Sequence, residues 1–201
     1  MSYAKSFPKM LILSVAAMLI LGALAIVVVD QANRSRSEIP VWGEVSDFEF
    51  TAAHNGEPFG LEQMKGKLNV VDFIFTNCKS ICPIMAENMV DLYDLYSGSD
   101  LVQFVSISVD PVRDTLETLN EYARQQGVND NRWVFLRASI EDVVKICEGD
   151  FMLAADQLPM GHTSKFILVD QFGQIRSYHD GTESGHMVSL KNNIRQLAKE
   201  M

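Results

Sequence analysis

An α/β domain carried behind one long apolar helix is the fold class that the sequence predicts, and three observations predict it. Residues 10–29 (MLILSVAAMLILGALAIVVV) hold no charge, and only Ser14 and Gly22 fall outside the apolar set. Beyond residue 44, nearly unbroken apolar runs of strand length alternate with amphipathic stretches of helical spacing. That second part has no internal repeat and no low-complexity run, as expected of one domain.

The apolar stretch is 20 residues long, which makes roughly 30 Å of helix and is enough to cross a bilayer core. Ala23-Leu24-Ala25 has the small-x-small form of a signal cleavage site, but apolar residues continue through Val29. The expectation is therefore an uncleaved transmembrane anchor. Lys5 and Lys9 favour a cytoplasmic N-terminus for residues 1–9, while Arg34 and Arg36 oppose it with equal charge. No lipobox-type cysteine follows the stretch. The short segment before the anchor lacks the Arg- and Ser-rich character of an organellar transit peptide, so a bacterial inner membrane is expected, with the domain facing the periplasm or cell exterior. Residues 30–43 are polar and without periodicity, and read as a linker to a domain spanning residues 44–201.

The chain has 201 residues and a net charge of −9. Lys5, Lys9, Arg34 and Arg36 against Asp30 give the first 36 residues +3, which leaves −12 on the rest. So acidic a domain is no partner for a nucleic-acid backbone. Three cysteines are too few for a disulfide scaffold, and 21% charged with 47% apolar residues excludes a disordered chain. The near-zero mean hydropathy of +0.04 averages a membrane-like stretch with a polar domain.

Phe48 to Thr51 alternates and predicts a strand, and residues 54–58 (HNGEP) a turn. Leu68 to Phe75 is an apolar run fit for a buried central strand. From Pro83 to Tyr96, apolar residues at 84, 85, 89, 92, 93 and 96 mark an amphipathic helix, with Pro83 at its first position. Leu101 to Val109 is a second buried strand. Asp114, with Glu117 three residues on, predicts a helix start, and Gly127 its end. Residues 134–136 form a short strand. Ser139 caps a helix through Cys147. Lys165–Asp170 and Ile175–His179 form a hairpin, and Ser184–Lys199 a last helix. A β-hairpin, then βαβαβα, then a hairpin and a helix is the thioredoxin-like pattern, with a largely parallel central strand set.

The sharpest local feature is TNCKSICP, residues 76–83, between a central strand and a helix. That position sets Cys82 near the helix start and Cys78 in the preceding turn, where the positive helix end is expected to lower thiol pKa. The four-residue offset permits either a disulfide or joint ligation of one metal. The bland alternative is two cysteines packing as small hydrophobes. A third ligand would come from His54, His162, His179 or His186. His162 lies in the loop LPMGHT before the Lys165 strand, a loop that faces the first helix in a thioredoxin-like topology. Two thiolates and an imidazole suit copper. His54 reads as an exposed turn residue. Residues 108–115 (SVDPVRDT) read as strand exit and helix capping. Cys147, beside Val143, Val144 and Phe151, reads as a buried spare thiol, and Met85 and Met89 as core.

FTNCKSICP, SVDPVRDT and HTSKFILVD followed by a glycine turn together resemble the Sco/SenC family over nearly all of residues 46–200. The resemblance implies a thioredoxin-like domain tethered by one helix, with copper carried by Cys78, Cys82 and His162. It implies assembly of the dinuclear copper centre of a cytochrome oxidase, whose copper subunit would be the client. Some members look instead like thiol reductases. Lys79-Ser80 stands where the family commonly has Pro-Asp, and Gly161 where it often has an acid. Both changes bear on the docking surface rather than on the ligands.

The leading expectation is a membrane-anchored copper chaperone. The competing one is an enzyme, a dithiol–disulfide oxidoreductase whose redox pair is Cys78 and Cys82 without stable metal. A copper or redox sensor is a third. A zinc site lacks a fourth protein ligand, and a peroxidase lacks the peroxiredoxin T-x-x-C spacing.

Overall fold

The computed structural model describes residues 7–37, 39–155, 158, 159, 161 and 163–201, which divide into two units, Met1–Ile39 and Pro40–Met201. The first unit is helix α1 (Phe7–Ser37). Within it, Leu11–Val28 is long and apolar enough to cross a membrane, and its side chains are exposed. The helix runs on through residues 30–37, which the sequence reading placed in the linker. Extending an existing helix costs far less than starting one, so polar residues without strong breakers continue it.

The second unit holds β1 (Gly43–Glu44), β2 (Glu49–Ala52), β3 (Pro58–Gly60), α2 (Leu61–Met64), β4 (Leu68–Ile74), α3 (Cys82–Leu95) and β5 (Val102–Ser108). It continues with α4 (Leu116–Gln125), β6 (Trp133–Arg137), α5 (Ile140–Gly149), β7 (Lys165–Val169), β8 (Gln174–Asp180) and α6 (Ser184–Leu197). Among the described residues the eight strands form one sheet in the order β1-β8-β7-β4-β5-β6-β2-β3. β4, β5 and β6 are parallel, with Val71 opposite Val105 and Val105 opposite Val134. The β7–β8 hairpin joins this centre antiparallel through β7, and the β2–β3 hairpin extends it beyond β6. Every residue of β4 and of β5 is buried, as the apolar runs require of strands covered on both faces.

One face carries Val71, Phe73, Val105, Ile107, Val134, Leu136 and Ile167, and packs with Val143, Ile146 and Cys147 of α5 and with Phe151. Phe73 meets Phe151 edge-on at 5.6 Å. Strand pleat puts Phe104, Trp133 and Phe135 on the other face. There Tyr93 of α3 meets Phe104 and Trp133, and Tyr122 of α4 meets Phe135. Met85 and Met89 are buried in α3, as expected of core residues. Ser139 caps α5 by accepting the Asp142 N–H at 3.1 Å.

The start of α4 departs from the expectation. Thr115, not Asp114, is the cap, accepting the Thr118 N–H at 3.1 Å. Asp114 is wholly buried and turned the other way. β1 and the single turn of α2 lie outside the elements that the sequence pattern predicts. β1 is held by β8, a partner more than 120 residues away in sequence.

Candidate metal and thiol site

The parallel strands β4 and β5 end side by side, and the segments leaving them form the site. Open α/β sheets commonly bind ligands outside the carboxyl ends of their strands. Beyond Ile74, Phe75 stays buried, Thr76 is half-buried, and the chain turns so that the Cys78 N–H donates to the Phe75 carbonyl at 3.2 Å. Asn77, Lys79 and Ser80 are exposed, and the Ser80 hydroxyl lies 3.5 Å from the Cys78 sulfur. α3 begins at Cys82 with Pro83 second, one residue earlier than the proline rule placed it.

Cys78 is half-buried and Cys82 is 3% exposed, and both are thiols. The Cys78 side chain hydrogen-bonds the Cys82 sulfur. The expected lowering of thiol pKa at the helix end does not hold for Cys82. Burial, and then the neighbouring Cys78 side chain, push its thiol well above the ordinary range, and a backbone hydrogen bond at Phe75 opposes them only in part. A helix end acts on a sulfur through partial charges, whereas removing a thiolate from water penalises the whole charge. The site thus pairs an accessible sulfur with a sequestered one.

Three further residues surround the thiols. Asp72, six residues before Cys78, is 2% exposed in the middle of β4. It accepts the Ser106 hydroxyl at 2.6 Å, and Ser106 accepts the Trp133 indole N–H at 2.9 Å. Burial pushes its carboxyl up to about 7. Asp114 accepts the hydroxyls of Thr76 and Ser108, each at 2.6 Å. Tyr122 of α4 lines an open groove with Thr76, and burial together with the negative charges of the site raises its phenol. A carboxylate inside the run LNVVDFIF, apolar but for Asn69, was the readable sign of Asp72. Asp114 gave no such sign, because its partner Thr76 is 38 residues away.

The structure does not bring His54, His179 or His186 into a metal cluster with the thiols: among the described residues no group of three or more His, Cys, Asp or Glu side chains could hold a metal ion. His54 is exposed in its turn. His179 and His186 meet each other where β8 gives way to α6, with ring centroids 6.4 Å apart. His179 is buried against Ser177 at 2.9 Å, and burial, then His186, lower its pKa to about 4. His162 lies outside the described residues. Ala155 and Leu158, earlier in the same connection, pack into the hydrophobic cluster that also takes Cys82 and Cys78. Cys147 is 2% exposed within α5, and burial raises its thiol to about 11, as befits a packing residue.

A family model described as SCO1/SenC matches residues 42–199. A SCO1 protein homolog of Bacillus subtilis (strain 168) is 33% identical over 158 residues, covering 72% of this chain and 78% of the relative. Among solved structures, BsSco, described as a member of the Sco family of cytochrome c oxidase assembly proteins with a disulfide switch, is 28% identical with a TM-score of 0.71. That match covers 81% of this chain and 98% of BsSco. Yeast Sco1 with copper bound shares the fold at a TM-score of 0.60 and 21% identity, over 78% of this chain and 90% of that one. The thioredoxin-like fold expected from the order of elements is the fold of these proteins.

Proposed function

This chain belongs to the SCO1/SenC family, and from that premise we propose that it is a membrane-tethered copper chaperone. In this reading α1 is the tether and the domain faces the periplasm or cell exterior. Copper is the cargo, held by Cys78, Cys82 and His162. It is delivered to the dinuclear copper site of a cytochrome oxidase, or the same thiols prepare that site's cysteines. The observation that carries the reading is the contact between the two thiols at the mouth of β4. Two soft sulfurs side by side suit copper. The solved relatives that bind copper or assist oxidase assembly support the same reading.

The chain's own residues divide the work. Cys78, half-buried, is the sulfur that copper reaches first. Cys82 is sequestered and holds its proton, so metal entry must release that proton as the second sulfur binds. Imidazole from His162 would complete a three-ligand set. Copper titration of the reduced full chain in detergent tests this. The expected result is one copper per chain with a sulfur-to-copper charge-transfer band, lost in Cys78→Ser and weakened in His162→Ala. Full affinity in His162→Ala would refute the three-ligand set, and no binding by the wild type would refute the copper reading.

The contact between the sulfurs also supports a second reading, a dithiol–disulfide oxidoreductase. One thiolate attacks a client disulfide, and the other then displaces the client thiol. The client leaves as a dithiol and a Cys78–Cys82 disulfide remains. Turnover by metal-free protein, unaffected by a chelator, distinguishes this from copper delivery.

A further inference from the structure

We infer that Asp114 is a positioning residue for the Cys78–Cys82 pair and acts through Thr76. Asp114 is wholly buried, and three donors are directed at its carboxylate. Oδ1 accepts the Thr76 hydroxyl at 2.6 Å, Oδ2 accepts the Ser108 hydroxyl at 2.6 Å, and the Thr76 N–H points between the two oxygens at 3.3 Å from each. The carboxylate therefore ties the exit of β5 to the exit of β4, two residues before Cys78.

Its own loop is anchored on the far side. The Asp114 N–H donates to the Asp110 carbonyl at 2.8 Å, and Arg113 pairs with the Asp110 carboxylate at 2.7 Å. Arg137 of β6 donates to the carbonyls of Asp114 at 3.2 Å and Pro111 at 2.9 Å. The thiol segment is thus fastened through Asp114 to two parallel strands. Capping does not explain this carboxylate, because Thr115 already caps α4.

Packing alone does not explain it either, because an apolar side chain would fill the position without the cost of taking a charge out of water. A buried carboxylate with three directed donors supplies a fixed direction instead. Holding Thr76 by both its N–H and its hydroxyl sets where the following turn places the Cys78 sulfur. Ligands held in place before the metal arrives bind it more tightly than ligands that must first be ordered.

The copper arm of the test rests on the chaperone reading, and a second arm does not. Wild type, Thr76→Val, Thr76→Ser, Asp114→Asn and the α5 core variant Val143→Ala are compared as full chains in detergent. The first readout is copper affinity by chelator competition, with the charge-transfer spectrum. Thr76→Val and Asp114→Asn are expected to weaken copper by about tenfold, the scale of one hydrogen bond to a charged group, and to shift the band. Thr76→Ser, which keeps the hydroxyl, retains both, and so does Val143→Ala. Wild-type affinity in Thr76→Val, or an equal loss in Val143→Ala, would overturn the inference. The second readout is the equilibrium of the metal-free protein with glutathione disulfide, which forms the Cys78–Cys82 bond and leaves two glutathiones carrying the two thiol protons. A change of about tenfold in Thr76→Val, absent in Thr76→Ser, is expected. An unchanged equilibrium in Thr76→Val overturns the inference. Should the wild type bind no copper, the chaperone reading falls and the glutathione arm still decides this one. Should Asp114→Asn not fold, Thr76→Val carries both arms.

Discussion

Replacing Asp72 with Asn should make the domain less sensitive to alkali. In the fold the Asp72 carboxyl is buried on β4 and titrates at about 7, with burial as the main cause and the Ser106 hydroxyl partly opposing it. In the unfolded chain it titrates near 3.8. Between those values the folded state keeps a proton that the unfolded state has lost. The contribution to stability is therefore fully present below about 4 and is lost as the pH rises through about 7. Each pH unit in that window is worth about 1.4 kcal/mol, so from pH 5.5 to 8 the loss is about 2 kcal/mol. Asn keeps an oxygen for Ser106 and has no charge to lose. The assay is urea unfolding of residues 40–201, which contain the whole sheet, followed by tryptophan fluorescence at pH 5.5 and pH 8. The quantity read is the difference between variant and wild type. That difference cancels His179, whose lowered pKa of about 4 makes its contribution run the opposite way, present above about 6.5 and lost in acid. Wild type should lose about 2 kcal/mol more than Asp72→Asn across the interval. Parallel pH profiles would refute the reasoning and leave Asp72 charged in the fold.

Three other outcomes follow from the packing. Phe151→Ala removes a ring that is 1% exposed and in edge contact with Phe73, and should cost about 3–5 kcal/mol by urea unfolding. Ser139→Ala deprives α5 of the acceptor for the Asp142 N–H, and should cost about 1 kcal/mol with no change in copper binding. Cys147→Ala should leave copper stoichiometry and the charge-transfer band unchanged, and a lost copper would show that this thiol belongs to the site.

Strands and helices were legible in the sequence where burial and periodicity agree. The runs at 68–75 and 101–109 became β4 and β5 within a residue or two, and Ser139 caps as its chemistry requires. The thiol pair was legible too, because cysteine and proline mark their place between strand and helix. What depends on distant partners was not. Asp114 and Thr115 are neighbours, both able to cap, and only Thr76 and Ser108 decide which of them turns inward. The Cys82 thiol showed the same limit: the helix end is local and visible, while the burial that outweighs it is assembled from strands and helices far along the chain. The two-residue β1 has no periodicity to detect.

The two outermost strands of the sheet have a consequence for copies of this chain that share a crowded surface. A free sheet edge is a template for another molecule's backbone, and long flat edges lead to fibrous association. Here one edge is only Gly43–Glu44, and the other only Pro58–Gly60, opening with a residue that has no N–H to offer. Eight strands therefore end in two stubs with little to recruit a neighbour. A Pro58→Val change that let the β2–β3 hairpin lengthen would trade that protection for self-association, readable as growth in light scattering over time.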